Sequence, residues 1–291
     1  MSGGNETTSS KAALPAPYNQ DFTGIVRHVR GKKDSTRSAL VNSPKVALYI
    51  WAGTTLINRQ FGPRAQAPAA GAGRRPVWSG LRFLTQEAVI AEAGRAAPPF
   101  TAQKGAGPFR ATWAQRADYV NDLLSFYFHS MNYEHHYNAE SRGDWLFDGA
   151  FSDAIDQTTY REIRELCAMP MFRLQLALAA TAGPDDEVRR FIAENYRGAL
   201  DPWRKAYAEI FAHRGLRLRP GMSLDRLTKM LAAVAEGFGV QLLGDASAEV
   251  ANDPAAGNIV GEAVMGLLYA FLEPAGGGPG RSLREDFDAR F

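Results

Sequence analysis

Ser223 is followed by Leu224, Leu227, Leu231, Val234, Phe238 and Leu242, and Gly244 closes the series. Steps of three and four place these side chains on one stripe of an α-helix, with a serine cap before it and a glycine stop after it. The same grammar recurs along the chain. Ser43 and Pro44 open a helix over 44–61, in which Val46, Ile50, Thr54 and Ile57 share a face and Gly62-Pro63 ends it. Gly53 weakens that helix slightly. Thr85 caps a short helix over 86–93, with Gln86 and Glu87 in its first turn and Gly94 as its stop. Val120, Leu123, Leu124, Tyr127 and Phe128 mark an amphipathic helix over 114–129. Further helices are expected over 156–182, broken near Met169 by Pro170, over 185–213, and over 258–272. Asp201 is placed to cap a restart at Pro202. The expected fold class is all-α.

Between these helices the composition shifts. Residues 1–19 carry no periodicity and are expected to be disordered. Residues 22–37 hold Arg27, Arg30, Lys32, Lys33 and Arg37, which suits either an arm along phosphate or a loose basic tail. The Ala/Gly/Pro run over 64–75 reads as a mobile loop. The single cysteine, Cys167, rules out an intrachain disulfide and is expected to be a small buried residue in a cytoplasmic protein. Residues 1–17 lack the apolar core of a secretory signal, and no uncharged apolar run reaches the ~18 residues of a membrane span. Charge is divided unevenly. Residues 22–120 hold 15 Lys/Arg against 4 Asp/Glu, a net +11, while the rest hold 18 against 27, a net −9. A basic front on an acidic body suits a polyanion-binding module joined to a part that avoids DNA.

Residues 84–127 contain a short capped helix, a segment broken by Gly and Pro, the aromatic-basic cluster FRATW and then the long amphipathic run. At these residues the chain resembles the tetracycline-repressor (TetR) family of bacterial regulators. A second block, 172–245, is similar to that family's ligand-binding body. Its order is an apolar helix, an acidic turn, a long helix, the turn LRLRPG, then a Ser/Leu-capped helix with a late Glu-Gly. Two insertions, 64–75 and 95–108, stand where the family has short turns. The resemblance implies a helix-turn-helix head joined by a long helix to a helical ligand-binding and dimerisation body. The implied divisions are a disordered or basic arm over 1–42, a DNA-binding domain with flexible insertions over 43–125, a ligand-binding and dimerisation domain over 126–273, and a flexible tail over 274–291.

On that placement Phe109 and Trp113 are core anchors. Arg110 and Thr112 face phosphate or base edges, and Lys104 reaches a phosphate. Thr85 and Arg116 bind the DNA backbone at a helix N-terminus. The last two long helices pair with their copies in a twofold interface through Leu227, Leu231, Val234, Phe238, Val264, Leu267, Leu268 and Phe271. The expected partners are a palindromic double-stranded operator, a second copy of the chain and a small hydrophobic effector, with no membrane and a cytoplasmic, nucleoid-associated location.

Phe126, Tyr127, Met131, Trp145, Tyr160, Phe172, Leu176, Trp203 and Tyr207 are candidates to line an apolar effector pocket. Taken one at a time each suits an ordinary helical core better; as a set they suit a hydrophobic effector. The chain has no phosphate loop, nucleophile elbow, H-E-x-x-H or C-x-x-C motif, so no catalysis, cofactor or metal is expected. Two other readings stay open. One is a helical small-molecule or partner-binding dimer whose head is degenerate. The other is an enzyme using His135 or His136, with Glu134, Asp144 and Asp148 nearby, which would require a metal.

Overall fold

The computed structural model describes residues 11–31, 34–63, 81–134, 149–181, 186–245, 259–277 and 280–285. The loop expected over 64–75, Lys32, Lys33, His135, His136 and Trp145 lie outside them. Among the described residues are eleven α-helices and one two-stranded sheet, so the fold is all-α. The helices are α1 Asp34–Val41, α2 Pro44–Phe61, α3 Gln86–Ala93, α4 Gly107–Thr112, α5 Arg116–Tyr127, α6 Met131–Glu134, α7 Phe151–Ala168, α8 Pro170–Thr181, α9 Asp186–His213, α10 Leu224–Gly244 and α11 Ile259–Phe271. Strands β1 Leu216–Leu218 and β2 Leu272–Pro274 pair antiparallel, Leu216 opposite Pro274.

Three helix starts follow the caps read from sequence. Ser43 Oγ accepts from Val46 N at 3.3 Å, Thr85 Oγ1 from Ala88 N at 3.1 Å, and Ser223 Oγ from Arg226 N at 3.2 Å. Each satisfies one of the amides a helix N-terminus leaves without a partner. Met169 is extended, φ −72° and ψ 122°, so the chain breaks between α7 and α8 ahead of Pro170. The restart expected at Pro202 does not occur. α9 runs through it for 28 residues, and Asp201 Oδ1 instead accepts from Arg204 Nη2 at 3.0 Å on its own helix.

The chain divides into two compact units. The first joins Met1–Asn132 to Pro170–Asn195, and the second joins Tyr133–Met169 to Tyr196–Phe291. A boundary at 125/126 is therefore not what the fold adopts. Phe172, Leu174 and Leu178 of α8 and Phe191 of α9 are buried in one cluster with α2 and α5, so apolar burial assigns them to the front unit.

At the centre of that unit is α2. Val46, Ala47, Leu48, Tyr49 and Ile50 are all buried, so the first half of the helix is covered on every side. α3, α5 and α8 pack on it. Gly53 has a structural reason to interrupt it: a Cβ there would lie 2.2 Å from Tyr119 Oη and 2.5 Å from Leu123 Cδ2. The glycine lets α5 approach.

The N-terminal stretch is a correction. It was expected to be disordered or a loose arm, yet residues 11–31 are docked, with Leu14, Phe22, Ile25, Val26 and Val29 buried. Asn42 fastens them, accepting from Lys11 Nζ at 2.6 Å and Phe22 N at 2.9 Å, and donating to Asp21 at 2.6 Å. Composition argued for disorder, but the burial of Leu14, Phe22, Ile25, Val26 and Val29 prevails over it.

In the second unit α7 packs on α10 and α11. Its core holds Ala154, Ile155, Ile210, Phe211, Leu227, Leu231, Leu268 and Phe271. Cys167 is buried there, its Sγ 3.5 Å from the Gly239 carbonyl. β2 follows α11 directly, and Arg217 Nε donates to Glu273 Oε1 at 2.9 Å across the pair. Pro274, expected to begin the flexible tail over 274–291, is thus held in β2 opposite Leu216.

Candidate nucleic-acid interface

The front unit positions α4 through rings. Phe109 and Trp113 are each 1 % exposed. Phe109 meets Tyr49 edge-on at 5.3 Å, and Trp113 meets Tyr119 edge-on at 5.0 Å, the geometry aromatic quadrupoles favour. Tyr119 Oη donates to the Tyr49 carbonyl at 2.8 Å, and burial pushes its pKa well up, so the donor stays protonated. The two residues taken as core anchors are buried as such.

Asp122 completes the clamp. It is fully buried yet accepts from Arg27 N at 2.6 Å, His28 N at 3.0 Å and Trp113 Nε1 at 2.8 Å, with His28 Nδ1 also at 2.8 Å. A buried carboxylate is tolerable only when donors surround it like this. These donors come from the N-terminal segment and from the residue that ends α4, so one carboxylate ties three parts of the unit together. The sequence reading missed it. The available signal was its register: with Tyr119 and Phe126, Asp122 falls on the apolar stripe of α5, where an unpaired charge could not sit.

Residues 94–106, between α3 and α4, are anchored rather than loose. Phe100 is buried and stacks on Trp51 at 5.1 Å, and Gln103 N donates to the Ala93 carbonyl at 3.3 Å. The expectation of a flexible insertion over 95–108 is corrected by this aromatic anchor.

Of the residues expected to meet DNA, Lys104 and Arg110 are exposed. None of the ion pairs between described residues uses either of them. Thr112 is not on that face. It is fully buried, and its Oγ1 donates to the Pro108 carbonyl at 2.9 Å, because two residues along a helix turn the side chain by about 200° from Arg110. Arg116 is also engaged within the unit, donating from Nε to the Leu84 carbonyl at 2.8 Å and from Nη2 to that of Leu81 at 2.6 Å. Thr85 is exposed but its hydroxyl caps α3.

The effector candidates do not form one group. Phe126, Tyr127, Met131, Phe172 and Leu176 belong to the front unit, and Tyr160, Trp203 and Tyr207 to the second. Phe126 stacks on Tyr18 at 5.6 Å and meets Phe22 at 5.0 Å, so its ring is covered by the N-terminal segment. Tyr127 Oη donates to Asn58 Oδ1 at 2.7 Å. Met131 and Leu176 are half-buried, and Phe172 is buried. In the second unit Trp203, Tyr207 and Phe211 stack in succession along α9, at 5.4 and 6.0 Å, with Trp203 and Tyr207 half-buried.

The expected dimer stripe is corrected at four of its eight positions. Leu227, Leu231, Leu268 and Phe271 are buried in the core of their own subunit. Val234, Phe238, Val264 and Leu267 are half-buried. The hydrophobic spacing identified the inward faces of α10 and α11. Their outward faces carry Val240 at 48 %, Ile259 at 50 % and Tyr269 at 75 % exposure.

Among the described residues no group of three His, Cys, Asp or Glu side chains could hold a metal ion, and no helix is long and apolar enough to cross a membrane. Compared with known protein families, curated proteins and solved structures, the chain finds no match.

Proposed function

We propose that this protein is a non-catalytic, DNA-binding transcriptional regulator that works as a homodimer and is released from its operator by a small hydrophobic effector. The observation that carries the reading is a pair of exposed cations with no ion-pair partner among the described residues, Lys104 and Arg110, in a unit whose other parts hold α4 fixed. By contrast Arg59 and Arg95, in the same unit, are both paired with Glu92, at 2.9 and 3.3 Å. Cations held ready and unpaired suit phosphate. The net +11 of residues 22–120 against −9 elsewhere supports the same assignment.

Dimerisation fits the outward stripe of α10 and α11. Ile259, Gly266 and Tyr269 recur at helical spacing on α11, with Gly237 and Val240 on α10, and a Cβ at Gly237 or Gly266 would meet nothing within 4 Å. Bare glycines let a second helix approach, and exposed rings give it apolar area to cover. The Trp203–Tyr207 ladder of the second unit suits a planar apolar effector.

The test is affinity for duplex DNA against salt. Binding should weaken steeply as salt rises, and Arg110→Ala should reduce the slope of log K against log salt by ~0.9, the share of one phosphate contact. A flat salt profile, or an unchanged slope for Arg110→Ala, would remove the reading.

A second reading has its own support. α4 has only six residues, residues 94–106 separate it from α3, and Thr112 faces inward. A helix that short offers few side chains to base edges. If the purified protein enriches no sequence from a random duplex library, it is a helical dimer that binds a small molecule or partner through the second unit.

A further inference from the structure

The docked N-terminal segment does more than fill the core. Val29 forms an antiparallel bridge with Trp113, and Arg30 N donates to the Thr112 carbonyl at 2.7 Å. Thr112 stands two residues after Arg110, ~3 Å along the helix axis. Alternate residues of an extended chain face opposite sides. Val29 is 2 % exposed, so Arg30 faces outward, and it is exposed. No ion pair between described residues uses it. The segment is also held in place, since the amides of Arg27 and His28 and the His28 ring are bound to buried Asp122.

We propose that Arg30 is a further contact to double-stranded DNA, forming with Arg110 one composite phosphate-binding face; this rests on the DNA-binding reading above. A free basic tail would lose backbone freedom on binding, whereas a pinned arginine has already lost it. The ligand is a duplex backbone rather than a single strand. Single-strand sites use exposed rings as stacking platforms, and the rings at this face, Phe109 and Trp113, are each 1 % exposed. Asp122 acts as a positioning residue, fixing Arg30 and α4 by one carboxylate.

The experiment is anisotropy of the full chain with a fluorescent mixed-sequence duplex of about 30 base pairs, titrated from about 50 to 200 mM salt. Arg30→Ala should lower the slope by ~0.9, so that the affinity gap to wild type narrows about threefold across that range. Arg30→Lys should restore the slope, because a point charge suffices for a phosphate. Arg95→Ala, which removes a cation already paired with Glu92, should leave it unchanged. Thermal melts of the same samples show whether each variant is folded, and Arg30→Gln serves if the alanine variant is not. If Arg110→Ala weakens binding while Arg30→Ala and Arg30→Gln keep the wild-type slope, the proposal fails and the DNA-binding reading stands. Weaker binding with an unchanged slope also overturns it, since that is the mark of a structural role. If wild type binds no duplex, both fall.

Discussion

Gly53 and Asp122 look like faults in their helices and are conditions of the fold. A glycine inside a helix costs up to ~1 kcal/mol relative to alanine, so Gly53→Ala would stabilise an isolated α2. Here the added methyl would meet Tyr119 Oη at 2.2 Å and Leu123 Cδ2 at 2.5 Å. Neither can yield, because the Tyr119 hydroxyl is bonded to the Tyr49 carbonyl and Leu123 is fully buried. Overpacking of this kind costs about 1–3 kcal/mol, which outweighs the propensity gain. Urea unfolding should therefore find Gly53→Ala less stable than wild type by about 1–2 kcal/mol, and equal or higher stability would contradict this packing. Asp122 makes the same point from polarity. Its position on an apolar stripe becomes intelligible once Arg27, His28 and Trp113 are seen to converge on it. No local pattern foretells that convergence, because its partners lie up to 95 positions away.

Among the elements, the N-terminal segment departs furthest from expectation. It contains no long helix, so its stability rests on a few buried side chains and a polar fastening around Asn42. Asp21 is part of that fastening. Hydrogen bonds from Thr23 and then from Asn42 hold its carboxyl at about 2, below the ordinary 3.8. A carboxyl with a depressed folded pKa contributes stability that is whole above its ordinary value and is lost as pH falls through the folded one. Amide exchange over residues 22–29 should thus quicken, relative to α10, as pH drops from 3.8 towards 2. Asp21→Asn should remove that acid step. Exchange that rises equally in both elements, or an acid step that survives in Asp21→Asn, would refute the role. The helices behave differently, because their ends carry local signals. Ser43, Thr85 and Ser223 cap where they were read to cap, while the three-residue strands β1 and β2 were too short to leave a periodic trace.

At the scale of the whole molecule, the two faces of α10 and α11 bear on assembly. In α10 and α11 the three- and four-residue spacing reports burial without saying against what. The most regular stripe, Leu227, Leu231 and Leu268, is covered by its own subunit. The less conspicuous stripe, with Gly266 bare and Tyr269 75 % exposed, is the one on which the proposed dimer would close. Tyr269→Glu combined with Gly266→Glu should shift the protein to monomer in sedimentation velocity, with thermal stability at low concentration little changed. A wild-type protein that is monomeric at tens of micromolar, or a variant that still pairs, would exclude this face. Burying two charges at a self-complementary contact places each near its own copy, so the penalty is counted twice.

By itself the sequence determined the longer helices, the caps at Ser43, Thr85 and Ser223, and the break at Met169. These depend on spacing, on short-range hydrogen bonds and on proline's clash with its neighbour, all of which act within a few residues. Only the tertiary structure decided which buried face meets which. It turned Thr112 inward, engaged Arg116 with the carbonyls of Leu81 and Leu84, and docked residues 11–31 onto α5 through Asp122. Those outcomes depend on contacts between distant parts of the chain, where desolvation and packing outweigh local preference.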